Sequence, residues 1–69
     1  MIIRLSETTW VNLRNVEYIT LTHSAKYYPK GERDKMMSLN FYLTSEMVHK
    51  HHDTLENIKL LLKKYKLDV

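Results

Sequence analysis

Over residues 44–67 apolar side chains recur at helical spacing while most positions between them are charged or polar, and no other feature constrains this chain's fold as much. At about 100° per residue, Met47, Val48, His51, Leu55, Ile58, Leu61, Leu62 and Tyr65 fall on one side. The spacing predicts one long C-terminal amphipathic helix, roughly 45–66. Thr44 or Ser45 can cap its start, Glu46 falls in the first turn, and Lys63, Lys64 and Lys66 sit in the last turns, where cations suit the helix dipole. A rival reading places a fifth strand over 47–51 and starts the helix at Asp53, because Asp53-Thr54-Leu55-Glu56 resembles a capping box. Periodicity favours the continuous helix.

Upstream the pattern changes to strands. Residues 1–5 are short and aliphatic, 9–13 alternate Val11 and Leu13 against Trp10 and Asn12, and 16–23 are rich in β-branched and aromatic residues. The polar steps Ser6-Glu7-Thr8 and Arg14-Asn15 read as tight turns, which makes an antiparallel meander. Pro29-Lys30-Gly31 fits a type I turn at the tip of the one real loop. Residues 36–43 then alternate cleanly, with Met37, Leu39, Phe41 and Leu43 on one side. The expected fold is therefore α+β: about four antiparallel strands (roughly 1–5, 9–13, 16–23 and 36–43) packed against the helix, as one compact domain over 1–69.

Such packing sets Ile3, Leu5, Val11, Leu13, Ile19, Leu21, Met37, Leu39, Phe41 and Leu43 against the helix stripe. It leaves Arg4, Tyr18, Thr20, Thr22, Ser38, Asn40 and Tyr42 on an open sheet face, with Ile2, Trp10 and Met36 adding apolar area.

At 69 residues the chain can bury only about 60% of the surface it exposes when unfolded, so its core needs help. The absence of cysteine removes disulfides and thiolate metal sites, which leaves self-association or a metal. Leu60 and Leu67 lie together on the back of a continuous helix. That helix would be about 30 Å long against about 26 Å for an eight-residue strand, and so would overhang its sheet. A homo-oligomer that buries Leu60, Leu67 and part of the Trp10, Tyr18 and Tyr42 face is the expectation.

Composition narrows the function classes. Hydrophobic residues at 43%, charged residues at 28% and a single glycine and proline describe a chain that folds. The longest aliphatic run, 60–62, is far short of the roughly 18 residues of a membrane span, and the first residues lack a signal-peptide pattern, so a cytoplasmic protein without a membrane partner is expected. Phosphate loops, nucleophile elbows and paired metal-binding histidines are missing, and so short a chain can hardly enclose the roughly 300 Å³ of a ligand pocket; no enzyme and no cofactor are expected.

The only metal-type cluster is His49, Lys50, His51, His52 and Asp53. On a helix, His49 lies four residues from Asp53 and three from His52, so two ligands can share a face, but a third would have to come from His23, Glu46 or a second subunit, and His51 points into the core. The net charge of +3 permits an anionic partner without requiring one.

Two functions remain. The first is a non-catalytic, self-associating binding module for a protein partner, through Trp10, Tyr18, Tyr42, Leu60 and Leu67. The alternative is binding of single-stranded nucleic acid or nucleotides, through the open face and the basic, aromatic loop 26–35: Arg4, Lys26, Tyr27, Tyr28, Lys30, Arg33 and Lys35. No named family is matched by motif. In size and layout the chain resembles small bacterial and phage products, and an inhibitor of a host system is the context that this resemblance implies; it transfers no residue role.

Overall fold

A computed structural model describes residues 1–24 and 35–69. The order is β1 (Ile2–Arg4), β2 (Trp10–Asn12), a 3-10 turn (Leu13–Asn15), β3 (Val16–His23), β4 (Met36–Leu43), β5 (Val48–Thr54) and α1 (Leu55–Tyr65). The fold is α+β, with antiparallel strands against one C-terminal helix. The strands form two sheets instead of one meander: β1 pairs with β2, and β3, β4 and β5 form a three-stranded sheet in that order.

The expectation of a helix over 45–66 is corrected, because its first half is strand β5. β4 is the central strand, and Ser38, Leu39, Asn40 and Phe41 are buried along it. Were it an edge, its second row of backbone groups would be buried without partners. β5 supplies them, with Phe41 opposite His49, Leu39 opposite His51 and Met37 opposite Asp53. Local chemistry agrees: Val48 and Thr54 are β-branched, and His and Asp are weak helix formers.

Residues 44–46 make the hairpin turn. Glu46 N–H donates to Leu43 O at 3.0 Å and Leu43 N–H to Met47 O at 2.8 Å. Glu46 has φ 68°, the left-handed residue that closes this type of turn. Thr44 N–H donates to Asn15 O at 2.9 Å and ties the turn to the entry of β3.

The start of α1 is capped by Thr54, whose Oγ1 accepts from Asn57 N–H at 3.2 Å. Asp53 Oδ1 accepts from Thr54 N–H at 2.7 Å and from the Asn57 amide at 3.0 Å. The capping signal in the sequence was real, displaced by one residue and closed by Asn57 in place of Glu56. At the other end Lys66 is left-handed (φ 54°), its N–H reaches Lys63 O at 3.3 Å, and Leu67 N–H reaches Leu62 O at 2.9 Å. This reversal folds Leu67 back beside Leu62.

The core is Ile3, Val11, Leu39, Phe41 and Ile58, with Leu5, Leu13, Val16, Ile19, Leu21, Met37, Leu43, Leu61, Leu62, Tyr65 and Leu67 packed around it. Every strand residue assigned to the core by alternation is in this cluster. The helix stripe is half right: Ile58, Leu61, Leu62 and Tyr65 pack inward, whereas Met47 and Val48 are exposed. The helix lies across β4 and β5, and Arg4 N–H donates to the Tyr65 hydroxyl at 3.0 Å, which joins β1 to the end of α1.

Candidate interaction surface

The outward side of the three-stranded sheet is ordered in cross-strand rows. Pairing sets Tyr18 beside Tyr42 beside Val48, then Thr20 beside Asn40 beside Lys50, then Thr22 beside Ser38 beside His52. The two lower rows are polar and internally satisfied. Ser38 Oγ donates to Asn40 Oδ1 at 2.6 Å, and the Asn40 amide donates to Thr20 Oγ1 at 3.1 Å and Thr22 Oγ1 at 3.0 Å. Ser38 and Asn40 are buried beneath the flanking side chains, so this network fixes the register of β3 on β4. Ser24 Oγ and His52 Nδ1 share a hydrogen bond of 2.7 Å across the sheet from β3's end to β5.

The top row is different. Tyr18 and Tyr42 stack with ring centroids 4.3 Å apart and planes 12° from parallel. Tyr18 is 53% exposed, Met47 beside the row is 67% exposed, and Val48 is exposed as well. A shallow hollow of about 330 Å³ opens here, between Glu17, Tyr18, Tyr42, Glu46 and Met47. Aromatic and aliphatic area is thus concentrated at one end of an otherwise polar face. Met47 and Val48 escaped the sequence reading because the helical period claimed them for the core. A strand reading of 48–54 would have set Val48 next to Tyr42.

The other expected site residues are dispersed. Arg4 and Trp10 face each other on the outward side of the two-stranded sheet, with the guanidinium 5.9 Å from the ring centroid and Trp10 56% exposed. They share no ladder with Tyr18 and Tyr42, so the single open platform expected from one meander is replaced by two separate faces. Leu60 is 63% exposed, with Glu56, Asn57, Lys63 and Lys64 one turn away on either side. The expected pairing of Leu60 with Leu67 is corrected, since Leu67 packs on the core. The overhang that supported it is gone too, because α1 is only about 16 Å long.

Of the basic loop, Lys26, Tyr27, Tyr28, Lys30, Arg33 and the turn Pro29-Lys30-Gly31 lie outside the described residues; Lys35 is exposed.

The histidine cluster is rearranged by the strand. His49, His51 and Asp53 point to the core side of β5 and His52 to the other side, so the trio His49, His52 and Asp53 does not share a face. Among the described residues no group of three or more potential ligands is gathered for a metal. His51 Nε2 lies 3.5 Å from Asp53 Oδ2. Burial holds the His51 pKa below its ordinary 6.5, overriding the opposing pull of Asp53, while His49 adds to the lowering.

A second, larger hollow of about 700 Å³ lies between the start of α1 and the ends of β3 and β4, lined by His23, Lys35, Met37, Leu55, Glu56 and Lys59. Among the described residues no helix is long and apolar enough to cross a membrane. Compared with protein-family models, curated proteins and solved structures, the chain finds no match.

Proposed function

We propose that this chain is a small non-catalytic binding module that associates with itself and acts on a protein partner through the Tyr18, Tyr42, Met47 and Val48 end of its outward sheet face. The exposed tyrosine stack carries this reading. Aromatic and methionine side chains are enriched where proteins meet, and here they sit together next to a polar rim of Thr20 and Lys50. Trp10 offers a second exposed aromatic on the two-stranded sheet.

Single-stranded nucleic acid draws less support. Base stacking needs free ring faces, and Tyr18 and Tyr42 have each given one face to the other. Capture experiments with the chain and with a Tyr18→Ser/Val48→Glu variant test the proposal. Proteins retained by the first and lost by the second support it. Equal retention by both, together with salt-dependent binding of single-stranded oligomers, would transfer the function to a nucleic acid.

A further inference from the structure

Each edge of a sheet carries a row of unpaired N–H and C=O groups, and the two edges of this sheet differ in how they are protected. β5 carries Lys50, three histidines and Asp53. β3 reads Val-Glu-Tyr-Ile-Thr-Leu-Thr-His, with no proline, no lysine and one acidic residue. Among the described residues no strand but β4 pairs with β3.

The direction of β3's backbone groups follows from the ladder. Ser24 N–H donates to Met36 O, so Ser24 and, by antiparallel alternation, Thr22, Thr20 and Tyr18 turn their backbone groups toward β4. Ile19, Leu21 and His23 therefore turn theirs outward. The helix lies over β4 and β5, and Ile19 and Leu21, packed against the core, remain partly exposed at this edge.

We infer that β3 pairs antiparallel with β3 of a second copy about a two-fold axis at Thr20, joining two three-stranded sheets into one of six strands. This rests on the self-association in the proposed function and names the surface that performs it. The register is self-complementary at each level. Ile19 and Leu21 of one copy exchange backbone hydrogen bonds with Leu21 and Ile19 of the other, and their partly exposed side chains adjoin. Tyr18 falls opposite Thr22, and Thr20 opposite Thr20. Antiparallel pairing about a two-fold axis uses both β3 edges and closes, and the charged β5 edges are left outermost. The two tyrosine stacks then lie on one continuous face, about 14 Å apart along the shared strands.

The chain has no cysteine, which makes a single introduced thiol a register gauge. Thr20 faces its own copy at a position without hydrogen bonds, where α-carbons approach to about 4.5 Å, within disulfide range. Mild oxidation should therefore convert Thr20→Cys to a covalent dimer. Thr22→Cys and Lys50→Cys should stay single chains at the same concentration. Light scattering on the untreated chain should give a dimer mass, lowered by Leu21→Pro, which takes away an outward N–H and no bond to β4. A dimer by mass in which Thr20→Cys does not crosslink and Leu21→Pro changes nothing would overturn the β3 interface while leaving self-association standing. A single-chain mass at high micromolar concentration would overturn both.

Discussion

Proline placed at two adjacent residues of β5 should have opposite consequences, because alternate N–H groups of an edge strand point in opposite directions. Leu43 N–H bonds to Met47 O, so the bonded pairs run 43/47, 41/49 and 39/51, and the His51 N–H is directed at Leu39, a residue buried in the centre of the sheet. Lys50 faces Asn40 with its N–H outward. Lys50→Pro removes no ladder bond and asks of His49 only the extended conformation it already has. Its cost should be about 1 kcal/mol. His51→Pro deletes a bond and orphans a buried carbonyl, about 1–3 kcal/mol. The ring is also pressed against β4, for a total above about 3 kcal/mol once the loss of the imidazole is subtracted with His51→Ala. For a chain of this length total stability is about 3–10 kcal/mol, so the second variant approaches global unfolding while the first stays folded. Urea unfolding followed by circular dichroism separates them. In a helix over 45–66 both prolines would be interior and each would cost about 3 kcal/mol or more. Equal, large losses in both variants would refute the strand.

Ile58 is the one fully buried side chain of α1, and Ile58→Ala should cost about 2–5 kcal/mol and lower the melting temperature by more than about 10 °C; a loss below about 1 kcal/mol would mean the helix is not docked there. Glu46→Gly relieves a left-handed backbone and should raise stability by up to about 1 kcal/mol in the same urea assay; a loss would contradict the turn geometry. Because burial lowers the His51 pKa in the fold, the unfolded chain takes up that proton first. The stability this group contributes is full above about pH 6.5 and falls as the pH drops below it. His51→Gln should flatten the decline between pH 7.5 and 5, and an unchanged slope would contradict the assignment.

Alternation made the first four strands legible, together with the core they bury, because β-branched and aromatic residues at period two leave little choice of face. The stretch 47–54 was not legible. It offers only Met47 and Val48 as strongly apolar residues, and these satisfy a helical period as readily as they satisfy an extended chain. The decision came from a distant demand, the hydrogen bonds required by both sides of β4, which no local window contains. One misassigned segment then moved Met47 and Val48 from the core to the surface, split the His49, His52 and Asp53 cluster and lengthened the helix, which produced the supposed overhang. Leu67 was misplaced by a separate event, the left-handed Lys66 that reverses the chain. The tyrosine pair was legible as two aromatics on the open sheet face, but its stacking follows from the register Tyr18 to Tyr42, which sequence does not specify.

The central claim is that the tyrosine end of the sheet, and not the back of the helix, meets the partner. A photoreactive benzoylphenylalanine at position 18, compared with the same residue at position 60, tests it in cells of the native host. Adducts heavier than the chain or its dimer should form from position 18 and be absent from position 60. Adducts from position 60 alone would contradict the account.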